Sequence, residues 1–170
     1  MTQTLRDGGA EATVAWLYRE SAVSFIRLAH LILGNRAAAE DVVQDAFLGL
    51  YRRWDLLAEK DKALGYVRVS VLNGCRRAAR RTRAAESVPD YDPGPAASAE
   101  LAALSMETRR EVARALRSLP RRQREVLVLT YYLELSDQQI ARETGIRPTT
   151  VRSTRHRALA ALGQVLKERS

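Results

Sequence analysis

The sequence predicts an all-α protein made of two small helical domains joined by a flexible acidic linker. Apolar residues recur at spacings of three and four in both halves. No convincing strand pattern and no internal repeat interrupts them. Between the halves, Pro89, Pro93, Gly94 and Pro95 break any helix, and the charge changes sign. A chain of 170 residues has room for one domain or two small ones, and 46% hydrophobic residues suffice for packed cores.

Val14, Leu17, Tyr18, Ala22, Phe25, Leu28, Ala29 and Ile32 form one face of a long first helix, stopped by Gly34-Asn35. In a second helix Val42, Val43, Ala46, Phe47, Leu50 and Trp54 point inward. The third series, Val67, Val71, Gly74, Cys75 and Ala78, ends in the basic run RRAARRTR, Arg76 to Arg83. From Ala84 to Thr108 there is no Lys or Arg, but there are five acids: Glu86, Asp90, Asp92, Glu100 and Glu107. This reads as a linker, with helix resuming near Ala99; a plain solvated spacer would have the same composition. The expected boundaries are 10–84, 85–107 and 108–170.

Periodicity returns with Val112, Ala115, Leu116 and Leu119, and Pro120 starts the helix RRQREVLVLTYYLEL, where its missing N–H is harmless. Ser136-Asp137-Gln138-Gln139 is a capping box, so the second half reads as four short helices. In DQQIARETGIRPTTVRSTRHRA, Asp137 to Thr144 makes a short helix that buries Ile140. Ala141 is small because a second helix crosses over it, and Gly145 takes the left-handed turn. Ile146 plugs the corner, Pro148 opens the next helix and Val151 faces the core. That is a helix-turn-helix whose second helix would enter the DNA major groove. Thr149, Thr150, Arg152, Ser153, Arg155, His156 and Arg157 crowd that helix. Arginine can read guanine edges or hold phosphate. An ordinary helical hairpin with a solvated basic face would lack the turn spacing and the basic helix in combination.

Charge agrees with this reading. The net charge is +8, and of 28 basic residues all but Lys60, Lys62 and Lys167 are arginine, whose planar fork matches phosphate oxygens. An arginine-rich proteome would produce the same balance, so charge alone does not decide. One cysteine, Cys75, excludes a disulfide framework and a thiolate metal cluster. His30 and His156 lie far apart; His30 reads as structural and Cys75 as a small core residue. No catalytic residue, metal ligand or cofactor is expected, because nothing supplies a nucleophile with a base or a phosphate-cradling Gly-rich loop with Lys. A nuclease would need grouped carboxylates on a DNA-facing surface. No apolar run approaches membrane-spanning length, and the N-terminus lacks the order of a signal peptide, so no membrane insertion and a reduced cytoplasmic setting are expected.

The stretch LPRRQREVLVLTYYLELSDQQIARETGI closely resembles region four of bacterial sigma factors. AEDVVQDAFLGLYRRW, Ala39 to Trp54, resembles the polymerase-binding part of sigma region two. YVRVSVLNGCRRAARR, Tyr66 to Arg81, resembles its promoter-melting and minus-ten-reading part. Region two, linker and region four in that order resemble the extracytoplasmic-function (ECF) sigma factors, nearest the arginine-rich SigE-like group of actinobacteria. The resemblance covers the chain except its first dozen residues and the linker.

What the resemblance implies can be placed residue by residue. Asp41, Gln44, Asp45 and Leu48 fall on one outward stripe of the second helix, where acids beside an exposed leucine suit a partner surface. In the family this face grips the clamp helices of the polymerase largest subunit, with Arg52 joining it here; the flap region is the contact implied for region four. Acids near a helix N-terminus also favour its dipole, the plainer account of Glu40 and Asp41. The family's loop between helices two and three, here Trp54 to Tyr66, captures a flipped base of the minus-ten element. An aromatic and a basic side chain suit that task. Lys60, Lys62, Tyr66 and Arg68 are the candidates, with Asn73, Arg76, Arg77 and Arg80 along the third helix. Some of these arginines would serve phosphates or the helix C-terminus. Trp54 continues the apolar stripe, which favours core over base wedge.

In region four, Arg152, Ser153 and Arg157 match positions that contact the minus-thirty-five element, and Thr150 starts the recognition helix where a hydroxyl meets phosphate. Arg147 stands where the family has a serine-like cap, which leaves it to reach the DNA backbone. Arg155 stands where an apolar residue usually packs inward, so its stem would pack while its head snorkels. About 20 extended linker residues span roughly 70 Å, close to two turns of DNA. In the family the linker threads the active cleft, where acids such as Glu86, Asp90 and Asp92 would imitate nucleic acid. The expected partners are core RNA polymerase, promoter DNA and an anti-sigma factor; the expected place is the bacterial cytoplasm, on the nucleoid when active. Two rivals remain: a helix-turn-helix regulator that acts without polymerase, and a protein that sequesters another factor. The first would need an N-terminal receiver or ligand domain. The intact basic recognition helix argues against the second.

Overall fold

A computed structural model describes residues 9–82 and 106–168; every regular element among them is helical. The chain divides into two units, residues 1–90 and 91–170. The acidic stretch with Glu86, Asp90, Asp92 and Glu100, and the expected helix start near Ala99, lie outside the described residues.

The first unit contains α1 (Ala10–Leu33), α2 (Arg36–Arg52) and α3 (Ala63–Thr82), with short 3-10 turns at Trp54–Leu56 and Lys60–Lys62. Gly34 ends α1 with φ 73°, and its N–H donates to the His30 carbonyl at 2.7 Å. Asn35 then caps α2, its side-chain oxygen accepting from the Ala38 N–H at 2.9 Å. The helix stop expected at Gly34-Asn35 is therefore also the next helix start, and it turns the chain back on itself. Helix α2 packs against both α1 and α3. Phe47 meets Tyr18 and Phe25 edge-on, with ring centroids 5.1 and 6.1 Å apart. Burying one such side chain stabilises by about 1.5–3 kcal/mol, and edge-on pairing adds about 0.5–1.5 kcal/mol. Where α2 meets α3, a Cβ on Gly74 would stand 2.6 Å from Val42 Cγ1, so only glycine permits this approach.

The second unit contains α4 (Met106–Ser118), α5 (Arg121–Tyr131), α6 (Asp137–Thr144) and α7 (Pro148–Lys167). Helix α7 packs against each of the other three. Leu119, Leu127 and Ala158 form a buried cluster with Leu116, Ala161 and Leu162 against it. Ile140 and Val151 are fully buried, Ala141 is buried beside them, and Ile146 is half-buried.

Four expectations about elements are corrected. Helix α2 ends at Arg52, so Trp54 is buried from a 3-10 turn rather than from the helix. Helix α3 begins at Ala63, so Tyr66 sits on a helix and not in the connecting loop. Pro120 caps α5 from outside, and the helix stops at Tyr131 rather than running on to Leu135. Finally, α7 is a 20-residue helix rather than a short one.

Candidate nucleic-acid interface

The helix-turn-helix is built from local signals. Ser136 accepts from the Gln139 N–H at 3.3 Å, and Gln139 Oε1 accepts from the Ser136 N–H at 2.9 Å, which closes the capping box. Gly145 stops α6 with φ 70°, its N–H donating to the Ala141 carbonyl at 2.9 Å. Pro148 occupies the first turn of α7, and Arg147 caps it without a side-chain hydrogen bond.

Arg147 at the cap, and Thr149, Thr150, Arg152, Ser153, His156 and Arg157 along the first half of α7, are all exposed. Ser153 Oγ donates to the Thr150 carbonyl at 3.1 Å, and Arg157 Nε donates to the Ser153 carbonyl at 3.3 Å. These local bonds lay polar tips along the helix surface. Arg155 behaves differently. Its head does not snorkel into water: the guanidinium takes both carboxylate oxygens of Asp137, Nη1 meeting Oδ1 and Nη2 lying 3.4 Å from Oδ2. A planar fork opposite a carboxylate makes two parallel bonds, which water or a single phosphate contact must outcompete. Arg152 Nε lies 3.5 Å from the same Oδ2. The hydrogen bond from Arg155 is the main cause that holds the Asp137 carboxyl below its ordinary range, with the charges of both arginines helping and burial opposing.

In the same unit, Arg124 is half-buried beside Arg117 and Arg121, and its Nη2 donates to the Leu119 carbonyl at 3.5 Å. Burial first, then those two like charges, lower its pKa from the usual arginine value. Glu125 is buried, with Arg122 Nη1 4.0 Å away. Sequence reading missed Glu125 because charged residues are rarely buried unless paired; its place inside the run Glu125 to Leu129, all buried, was the available signal.

In the first unit the α2 stripe is exposed: Asp41, Gln44, Asp45, Leu48 and Arg52 all face solvent, Leu48 with 51% of its surface. The stripe divides between two grooves. Asp41, Asp45 and Arg52 line a groove of about 710 Å³ against α3, opposite Tyr66, Asn73 and Arg77. Gln44 and Leu48 line another of about 630 Å³ against α1, with Tyr18 and Tyr51. Tyr51 was missed, although it follows Leu48 at helical spacing and is exposed.

The minus-ten candidates are scattered. Lys60 Nζ lies 5.3 Å from the centroid of the Trp54 ring, and Lys62 pairs with Glu59 at 2.7 Å. Tyr66 and Arg68 are half-buried, and the Tyr66 hydroxyl accepts from Arg53 Nη1 at 3.3 Å. Arg76 Nη1 donates to Asn73 Oδ1 at 3.0 Å, while Arg77 and Arg80 are exposed. The structure thus brings Tyr66, Asn73 and Arg77 together in one groove and leaves Lys60 and Lys62 on the turn before α3. Leu56, on the 3-10 turn at the end of α2, is 83% exposed and was also missed. No group of three or more metal-ligating side chains occurs among the described residues, and no described helix is long and apolar enough to cross a membrane.

Comparison with known proteins gives a consistent result. Residues 17–85 match Sigma-70 region 2, and residues 109–162 match Sigma-70, region 4. The RNA polymerase sigma-E factor of Streptomyces avermitilis is 33% identical over 146 residues, covering 86% of this chain and 80% of that protein. The ECF RNA polymerase sigma factor SigL of Mycobacterium tuberculosis is 31% identical over 156 residues, covering 89% and 88%. Among solved structures, the sigma factor RpoE in complex with the anti-sigma factor NepR from Bartonella quintana has a TM-score of 0.63 at 21% identity, covering 89% of this chain and 96% of that one. CnrH in complex with the cytosolic domain of CnrY has a TM-score of 0.66 at 23% identity, covering 99% and 96%. The chain belongs to the sigma-70 family and is an ECF-type RNA polymerase sigma factor.

Proposed function

We propose that this ECF sigma factor divides its work between its two units. Residues 10–84 hold core polymerase and open the minus-ten element, residues 85–107 form the acidic connection, and residues 108–170 read the minus-thirty-five element. The observation that carries the reading is the exposed cationic start of α7 behind the Gly145 turn, in a chain that matches both sigma regions. A helix so presented lies in the major groove with its N-terminal residues at the base edges. Arg152, Ser153 and Arg157 are the readers of bases and phosphates; Arg147, Thr149, Thr150 and His156 flank them on the duplex. A good bidentate arginine–guanine contact discriminates by about 1–3 kcal/mol.

Core polymerase binds through Asp41, Gln44, Asp45, Leu48 and Arg52. Acids around an exposed leucine fit a partner face that is basic at its rim and apolar at its centre, as the clamp helices of the largest subunit would be. The second unit meets the flap region. Sigma factors are transcription initiation factors rather than enzymes, so melting is driven by capture of unpaired bases. Stacking a base on an aromatic side chain contributes about 1–3 kcal/mol, and unstacking a step costs a few kcal/mol, so each captured base offsets much of one unstacked step. Lys60, Lys62 and Arg68 attract the strand, Tyr66 lines the groove beside it, and Asn73, Arg76, Arg77 and Arg80 follow it along α3. An anti-sigma partner is supported by the solved complex of RpoE with the anti-sigma factor NepR. The site of action is the cytoplasm, at the nucleoid.

The test is run-off transcription with purified core polymerase and a library of promoter fragments from the protein's own genome. Discrete start sites that require the protein are expected. Absence of transcripts, with tight duplex binding by the protein alone, would favour a regulator that works without polymerase.

A further inference from the structure

We propose that Asp137 is a positioning residue for promoter reading: by clasping Arg155 and holding Arg152, it sets how many cations of α7 are available to the duplex. The proposal rests on the reading of α7 as the DNA-contacting helix. Asp137 opens α6, at the positive end of that helix's dipole, and its side chain is only 18% exposed. Arg152 and Arg155 stand three residues apart on α7, on neighbouring positions of one face. One carboxylate therefore serves two arginines from a different helix.

The two arginines are held unequally. Arg155 is gripped through two nitrogens and its side chain is 24% exposed. Arg152 touches the acid through Nε at 3.5 Å, and its side chain is 76% exposed. Contact through Nε leaves the two terminal amino groups of Arg152 for a guanine edge or a phosphate. Arg155 instead turns both terminal amino groups to the acid. Its charge is cancelled by Asp137, so it contributes to the joint between α6 and α7 rather than to the duplex. The first helix of such a motif crosses the DNA backbone, where a bare carboxylate would repel phosphate. With both arginines against it, the Asp137 cluster carries one net positive charge.

The clasp predicts a pattern in four proteins. Unsubstituted protein, Asp137→Asn, Arg155→Met and the double variant would each be assembled with core polymerase. Binding to a promoter fragment and to a random-sequence duplex would be measured across a salt series. Each phosphate contact steepens the log–log salt slope by about 0.9. Asp137→Asn frees Arg155, so its slope steepens by about one contact, and its affinity for the random duplex rises several-fold while promoter preference falls. Arg155→Met leaves Arg152 as the sole arginine partner of Asp137, so its slope becomes shallower by about one contact. The double variant returns to the slope of the unsubstituted protein. A slope for Asp137→Asn equal to that of the unsubstituted protein, with the double variant as shallow as Arg155→Met, would make Arg155 a direct DNA contact and overturn the clasp. If Arg155→Met does not fold, the slope and promoter preference of Asp137→Asn decide alone. Unsubstituted protein that shows no promoter preference even with core polymerase would instead bring down the reading of α7, a failure visible before any variant is compared.

Discussion

The two units solve one problem, how to fix the angle between two helices, by opposite means. In the first, α2 and α3 are set by contact: Gly74 lets Val42 approach so closely that no Cβ fits between them. In the second, α6 and α7 are set by a turn and a charge. A Cβ on Gly145 would meet nothing within 4 Å, so the glycine serves its φ of 70° alone, and Asp137 with Arg155 ties the helices across the turn. An apolar joint is insensitive to pH and salt. An ionic joint at the surface feels both, and here Arg155 shares its acid, Asp137, with the far more exposed Arg152. The difference teaches that the first unit sets a helix angle by apolar fit, while the second couples a helix angle to charge.

This contrast can be broken at four points. The largest loss is expected from Phe47→Ala, which removes the ring that Tyr18 and Phe25 pack against. It should destabilise the first unit by about 3–5 kcal/mol, seen as a lower urea midpoint for one of two transitions. Gly74→Val should cost about 1–3 kcal/mol in the same unit by overpacking against Val42, and it should weaken core polymerase binding measured by gel filtration or fluorescence titration. Gly145→Ala should cost about 1–2 kcal/mol in the second unit, purely through the left-handed backbone, and Gly145→Asn should recover part of it; thermal unfolding checks both.

The smallest effect is the pH dependence of the ionic joint. The folded-state pKa of Asp137 lies below its ordinary value of 3.8. Its contribution is therefore fully present above that value and is lost as pH falls through the lower, folded one. The contribution should be on the order of 1 kcal/mol or less, as for other partly exposed ion pairs. Unfolding of Asp137→Asn should then lose less stability between pH 5 and about pH 3 than the unsubstituted protein does. Equal acid sensitivity would show that the clasp adds nothing to the fold.

Most of the fold was legible because its signals are local. The apolar spacing of α1, the stop at Gly34, the Ser136 box, the Gly145 turn and Pro148 each act within four residues of themselves, which a sequence displays directly. The burial of Leu72, Ala113 and Glu125 was less so, since it depends on which neighbouring helix covers each face. Among the site residues, the exposed stripe of α2 and the polar crowd on α7 could be read from helical spacing. The role of Arg155 could not, because Asp137 stands eighteen residues away, across a turn.

By itself, then, the sequence determined that the chain is helical, where its helix-turn-helix begins and ends, and that the last helix of its second unit carries a cationic face. Capping, turn conformation and periodicity are properties of residues a few positions apart. Only the tertiary structure decided that Gly74 is a point of close approach, that Tyr66 lines a groove between α2 and α3, and that Arg155 is tied to Asp137. These facts belong to pairs of helices, and the energies that set them come from surfaces that meet only after the chain has folded.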